Sequence, residues 1–251
     1  MRVLVISDIH ANLQALTACM EAFPDRDTTW NLGDLVGYGA APNEVIAGSR
    51  ELGAIFVRGN HDKACSGLSD LDGFNPIAAL AALWTQKNLT ADNLEWLKVL
   101  PHGPIRPLPD VNVACVHGSP MDEDEYVISI HDAEEPLMHP AAGRTFFGHT
   151  HLQGGFFVKD GLVHGIRLAF GDPKLPQKIE FQLQQDATYL INPGSIGQPR
   201  DGDPRAGFLL YDSEANLVTF YRLPYDIVGA QQDIRAAGLP PRLADRLAEG
   251  R

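Results

Sequence analysis

Residues 2–10 read RVLVISDIH, and the reading of this stretch decides the fold. Val3, Leu4, Val5 and Ile6 make a short, continuous apolar run rich in β-branched residues, the pattern of a buried strand. The run stops at Asp8 and His10, and a helical pattern follows from about residue 12 to 22. Asp8 then has two readings. It caps the following helix, or with His10 it supplies the first ligands of a site beyond the carboxyl end of the strand.

Working outward, TTWNL reads as a second strand, and Pro42 opens a second helix, since proline is tolerated in a helix's first turn. AIFVR (54–58) is a third strand, and the small, polar residues 62–73 read as a loop. Two helices, NPIAALAALWTQKNL and TADNLEWLKVL, have Asn75 and Thr90 as N-caps. An apolar strand VNVACV, an acidic loop (122–135) and the short strand RTFF come next. From 154 to 222 strands and turns dominate, and the tail from Tyr225 reads as one or two short helices, the second opened by Pro240 and Pro241. Alternating elements followed by a β-rich half imply an α/β protein with two layers of sheet and outer helices. We expect a single domain over 1–251, with a helical excursion at about 62–100 and a C-terminal helical tail from about 225.

Five times an apolar strand ends in residues able to bind metal. The first gives Asp8 and His10, the second Asp34, the third Asn60, His61 and Asp62, VNVACV gives His117, and RTFF gives His149 and His151. Sites in sheets of βαβ units form beyond the carboxyl ends of the strands, so parallel neighbours would bring all five groups to one rim. Each residue alone has a plainer alternative: a cap for Asp8, a glycine-flanked turn for Asp34 and Asn60, a packed histidine for His117. Together they favour a site. His102, His131, His139 and His164 lack the strand-then-glycine setting and read as surface or packing residues.

In this order the blocks DIH, GDLVG, GNHD, VHG and GHTH resemble the signature of the calcineurin-like metallophosphoesterases. The resemblance runs from residue 3 to about 225, and NPGSIGQPRDGDPRAGFLLYD (192–212) is similar to the C-terminal block of the compact bacterial and archaeal phosphodiesterase-like branch. It implies a four-layer α-β-β-α sandwich of two mixed sheets with two divalent metal ions at the strand ends. Carried over by position, Asp8, His10 and His151 would bind one ion, Asn60, His117 and His149 the other, and Asp34 would bridge them. His61 would be the catalytic histidine outside the ligand set, with Asp62 nearby to orient it; if protonated, it would stabilise developing charge or give a proton to the leaving oxygen. A mixed N/O donor set suits Mn, Fe, Zn, Co or Ni. The implied activity is hydrolysis of small phosphodiesters or phosphomonoesters by a bridging hydroxide. A nuclease or nucleotide pyrophosphatase is the alternative with the same site, and a non-enzymatic scaffold the alternative of another kind.

The protein serine/threonine phosphatases resemble one another in a GDxVDRG block, where this chain has GDLVGYG (33–39), so Gly37 and Tyr38 replace their Asp and Arg. This argues against a protein phosphatase. Tyr38 is a candidate for stacking on a leaving group or base, with packing as its alternative. Arg200 and Arg205 are the candidate contacts to substrate phosphate, against turn salt bridges with Asp201 or Asp203. The loop 63–73, the helical excursion and the acidic loop 121–135 are the expected sources of specificity.

Composition sets outer bounds. The 251 residues carry a net charge of −12, which argues against long nucleic acid as a partner. No apolar run approaches the ~18 residues of a membrane span and no signal peptide precedes the first strand, so a cytoplasmic protein without membrane contact is expected. The odd number of cysteines, with no spaced framework, suits a reducing compartment. Cys65 follows the GNHD block, but its only nearby basic residue is Lys63, which is weak support for a nucleophilic thiol.

Overall fold

The computed structural model describes residues 1–53, 55–108, 111–139 and 142–251. Its elements run β1 (Arg2–Ile6), α1 (Leu13–Ala22), β2 (Thr28–Asn31), α2 (Pro42–Glu51), β3 (Ile55–Phe56), α3 (Asn60–Cys65), α4 (Pro76–Asn88), α5 (Ala91–Lys98), β4 (Val113–Cys115), α6 (Ile130–Met138) and β5 (Arg144–Phe146). They continue as β6 (Gly154–Lys159), β7 (Leu162–Ile166), β8 (Gln177–Gln182), β9 (Thr188–Asn192), β10 (Ala206–Asp212), β11 (Leu217–Leu223), α7 (Ile227–Ala236) and α8 (Pro241–Glu249).

One sheet has the order β3-β2-β1-β10-β11-β8 and the other β4-β5-β9-β6-β7. Strands β1, β2 and β3 are parallel, as are β4, β5 and β9, while β10 and β6 join their sheets antiparallel. Both sheets are therefore mixed. The period of two along β1 explains the layers. Val3 and Val5 enter the core between the sheets with Trp30, Phe146, Ile191 and Tyr211. Leu4 and Ile6 point the other way and pack on Ala15, Leu16 and Cys19 of α1 and Val45 of α2. Each such side chain, fully buried, contributes about 1.5–3 kcal/mol. Helix α6 covers the outer face of the second sheet through Ala133 and Leu137 against Phe147 and Leu190. The result is the α-β-β-α sandwich that the sequence implied.

Asn75 and Thr90 do cap α4 and α5. Two segments differ from expectation. The stretch read as a loop from residue 62 begins inside α3, because Asp62 reaches back to the Gly59 N–H at 3.0 Å and closes a helical turn. The acidic loop becomes α6 from Ile130, started by a capping box between Ser129 and Asp132. The strand expected over 54–58 is found at Ile55–Phe56, and Ala54 lies outside the described residues. No helix among the described residues is long and apolar enough to cross a membrane.

Helices α7 and α8 of the C-terminal tail pack on the first half of the chain. Ala230, Ile234, Leu243 and Leu247 share a cluster with Tyr38 and with Ala78 and Ala81 of α4.

Candidate metal centre

The parallel strands bring their carboxyl ends together, and main-chain bonds then lock the following loops to one another. The Asp8 N–H donates to the Gly33 carbonyl at 2.9 Å, the His10 N–H to Asp34 at 2.9 Å, and the Gly148 N–H to His117 at 2.8 Å. Across the two sheets, the His149 N–H donates to Asp8 Oδ1 at 3.2 Å.

Two groups of buried side chains able to hold a metal ion result: Asp8, His10, Asp34 and His151, and Asp34, His117 and His149. Asp34 belongs to both. Its Oδ2 lies 3.5 Å from His10 Nε2 and 3.4 Å from His117 Nε2, while its Oδ1 accepts the His61 N–H at 2.8 Å. His151 Nε2 lies 3.4 Å from Asp8 Oδ1, and Asn60 Oδ1 lies 3.2 Å from His117 Nε2. Gly59 makes room for Asp34, since a Cβ there would collide with Asp34 Oδ1. The other histidines, His102, His131, His139 and His164, belong to neither group.

Main-chain oxygens orient the rings. His10 Nδ1 donates to Val36 at 3.1 Å, His117 Nδ1 to Leu32 at 2.8 Å and His151 Nδ1 to Gln198 at 2.5 Å. A carbonyl only accepts, so these nitrogens carry the protons and the Nε2 atoms point inward. His149 is turned the other way, with Nε2 donating to the Asp124 carbonyl at 3.1 Å, which leaves Nδ1 for the site. Two lone pairs, on His10 Nε2 and His151 Nε2, thus face each other at 3.1 Å. Asp8 Oδ2 is buried beside them with no partner. Imidazole lone pairs converging on carboxylate oxygens, with each ring held from behind, fit a divalent cation.

The ligand backbones are unusual. Asp8, His10, Asp34, His149 and His151 all have φ between 49° and 64°, with Ala11 and Tyr38 beside them in the same region. Among the described residues, the only other non-glycine examples are Asp160 and Asn216. Such strain, about 1–3 kcal/mol per residue, collects at functional sites. Left-handed turns thus aim the Asp8 and His10 side chains inward.

Burial dominates the titration of the site. It pushes His10 and His151 well below the ordinary histidine range and His149 down to about 3, and it raises Asp8 to about 7. His117 goes the other way: burial would lower it, but Asp34 and Asp8 raise it to about 10. Asp34 answers in kind, held well below the carboxylate range by His117, His61 and His10 although burial opposes this.

His61 lines a cavity of about 300 Å3 beside the two groups, with Tyr38, Asn60, Phe74, Tyr126 and His149. Burial pushes His61 down to about 4, so the free protein holds a neutral imidazole there at neutral pH. Its Nδ1 is buried without a partner. Asp62 does not reach the ring. Its carboxylate accepts N–H groups of Asp34, Leu35, Val36 and Gly59 at 2.8–3.3 Å, so it holds the backbone that carries Asp34.

The expected substrate contacts separate. Arg205 is 1% exposed and spent on structure, paired with Asp203 at 2.5 Å and donating to the Asp172 and Leu175 carbonyls. The turn salt bridge is thus its role, because a buried guanidinium needs every acceptor it has. Tyr38 is 6% exposed, its ring 4.6 Å from that of His10 and 4.3 Å from that of His61, so its faces are occupied and give no platform for a base. Arg200 stays at the site, donating to Gln198 Oε1 at 3.0 Å and to the Tyr38 hydroxyl at 3.4 Å. Glu123 and Asp124 are tied to Lys63, and Glu123 also to Arg58, which closes the acidic loop onto α3 beside the cavity. Cys65 is buried and its thiol raised far up by burial and by Asp62, which makes it inert. The sequence reading missed the Val36, Leu32 and Gln198 carbonyls, for which no side-chain signal exists, Phe74, which falls between the loop 62–73 and the helix from Asn75, and Tyr126 in the acidic loop.

Comparison with known proteins agrees with this geometry. The sequence model of the calcineurin-like phosphoesterase superfamily domain matches residues 1–216, and the chain belongs to that family. It is 34% identical over 255 residues, spanning 98% of this chain and 97% of the relative, to the uncharacterized protein MJ0912 of Methanocaldococcus jannaschii. A metallophosphoesterase from Sphaerobacter thermophilus superposes with a TM-score of 0.83 at 38% identity, covering 100% of this chain and 99% of that one. The hypothetical protein PH1004 from Pyrococcus horikoshii OT3 shares the fold with a TM-score of 0.77 at 20% identity, covering 100% and 98%. The chain is thus a member of a phosphoesterase superfamily with a buried His/Asp cluster fit for metal.

Proposed function

We propose that this protein hydrolyses small phosphate esters, diesters or monoesters, with two divalent metal ions at the strand ends. The observation that carries this reading is the single oxygen, Asp34 Oδ2, placed between His10 Nε2 and His117 Nε2. Asp8, His10 and His151 would hold one ion and Asn60, His117 and His149 the other, with Asp34 shared between the two donor sets. Bound there, the pair would supply Lewis acidity to phosphate oxygens and an acidified water as nucleophile.

The chain's own residues do the rest. Asp62 and Gly59 fix Asp34, and the carbonyls of Val36, Leu32 and Gln198 fix three of the four imidazole rings. His61, which lines the cavity, would donate a hydrogen bond to the phosphoryl oxygens or, once protonated beside the bound anion, give a proton to the leaving oxygen. Phe74 and Tyr126 limit the cavity to a small leaving group, and the net charge of −12 disfavours long nucleic acid. Three free, buried cysteines support a reducing compartment such as the cytoplasm.

The complete ligand set weighs against a scaffold without activity. Metal analysis of the purified protein, with turnover of p-nitrophenyl phosphate and bis-p-nitrophenyl phosphate, tests the reading. Stoichiometric metal and Mn-stimulated turnover are expected. No metal together with no turnover after Mn addition would overturn it.

A further inference from the structure

Two guanidinium groups flank Tyr38, and among the described residues no side-chain carboxylate forms an ion pair with either. Arg200 comes from the loop after β9 and Arg246 from the last turn of α8, and each lies 5.8 Å from the centroid of the Tyr38 ring. The neighbouring acids are spent elsewhere: Asp201 on Arg222, Asp203 on Arg205, and Glu249 on Arg242. Arg200 Nη2 is shared between Gln198 and Tyr38, and its Nε is buried with no partner. Arg246 uses Nε toward the terminal carboxylate of Arg251, which leaves its two Nη groups turned elsewhere. Among the described residues the remaining donors of both forks have no acceptor.

The placement ties this pair to the metal centre. Gln198, which takes the Arg200 hydrogen bond on its side chain, takes the His151 Nδ1–H on its main-chain oxygen. The Arg200 N–H donates to the His151 carbonyl at 3.3 Å. On the other side, the Gly202 N–H donates to the Gly250 carbonyl at 3.0 Å, which docks the end of α8 on the Arg200 loop. Like charges drawn together in a half-buried setting raise the free energy of the empty site, and an anion between them relieves it. Two planar forks are also the geometry that takes phosphate oxygens in pairs.

We propose that Arg200 and Arg246 form a subsite for a second anionic group of the substrate, a phosphate or carboxylate remote from the ester that is cleaved. The subsite rests on the phosphoesterase reading for its purpose, and it narrows the substrate class to small esters with two anionic groups. Arg246 lies beyond residues 1–216, the part of the chain that the family defines. The selectivity therefore depends in part on the C-terminal helix, which lies outside the region of the family match.

The test is binding of non-hydrolysable probes to the metal-loaded protein by calorimetry: methylphosphonate, with one anionic group, against short α,ω-alkanebisphosphonates of increasing chain length. One bisphosphonate of matching length is expected to bind at least about tenfold tighter than methylphosphonate. Arg246→Gln and Arg200→Gln should remove that advantage, Arg246→Lys should keep part of it, and Arg242→Gln on the same helix should keep all of it. Thermal melts of each variant establish folding, and the ratio of the two affinities is read within each folded variant. Equal affinities in the wild type would overturn the subsite. So would an advantage that survives Arg246→Gln, which would mean that Arg246 only complements the helix C-terminus. Failure of the hydrolase reading shows separately, as no methylphosphonate binding and no ester turnover.

Discussion

Asp62 stands directly behind Asp34, with its Oδ2 accepting the Asp34 amide N–H at 2.8 Å. One buried carboxylate thereby sets the backbone of another. The same Asp62 carboxylate also accepts from Leu35, Val36 and Gly59, so it organises a whole turn around the residue common to both donor groups. Asp62→Asn keeps the shape but turns one acceptor oxygen into an N–H donor facing amide N–H groups. We expect a loss of about 2–4 kcal/mol in urea unfolding, from charge-assisted bonds weakened and buried N–H groups left unpaired. Metal affinity should fall with it, since Asp34 loses its support.

Asp34→Asn should cost both ions together. Added Mn should raise the melting temperature of the wild type, by about 2.7 kcal/mol of stabilisation at a hundredfold excess over Kd, and leave the variant unmoved. Chelation should reverse the wild-type gain.

Metal uptake should also depend on pH. His117 is raised to about 10 in the free protein, burial being outweighed by Asp34 and Asp8. At neutral pH it is therefore protonated and must lose that proton to bind. Apparent affinity should rise by up to about tenfold per pH unit for this proton below pH 10. Calorimetry in buffers of different ionisation enthalpy would count the proton released, and zero would contradict the His117–Asp34 pairing.

His61→Ala should lower kcat about 10²–10⁴-fold on esters with poor leaving groups, with less loss on p-nitrophenyl esters. Metal content should stay unchanged, because His61 contributes its main-chain N–H and not its ring to Asp34. Full activity on a poor leaving group would remove His61 from the chemistry.

The ion pair of Arg205 with Asp203 predicts a stability effect remote from catalysis. Asp203→Ala strands a guanidinium that is almost fully buried and should cost about 3–5 kcal/mol. Burial raises Asp203, but the hydrogen bonds from Arg205 outweigh it and hold the carboxyl below its ordinary value. A depressed folded pKa gives stability that is complete above the unfolded value of about 3.9 and lost as pH falls through the folded one. The gap between wild type and variant should thus be full near pH 7 and close in acid.

The layers and the donor set were legible because both rest on side-chain pattern. Alternation along Val3–Ile6 separates the core between the sheets from the helix-facing cluster, and five strand ends carry Asp, Asn or His. What was not legible was decided by backbone and by burial. Nothing in the sequence says that the Val36 carbonyl turns His10. Asp62 looked like a partner for the His61 ring because it is adjacent in sequence, yet α3 directs it to amides across the loop. Arg200 and Arg205 looked alike, and only their neighbours, Tyr38 for one and Asp203 for the other, tell them apart. The acidic run hid α6 because composition spoke louder than the Ser129–Asp132 capping pair.

The left-handed ligand backbones impose a vocabulary on this part of the chain. Asp, Asn and His are the side-chain-bearing residues that enter that conformation at least cost, and β-branched residues are the worst suited to it. Asp8, His10, Asp34, His149 and His151 are therefore positions where the residues that bind metal and the residues that tolerate the turn are the same few. An inactive variant meant to keep its shape should be written with Asn or Gly there, since Val or Ile would report on the turn and not on the chemistry.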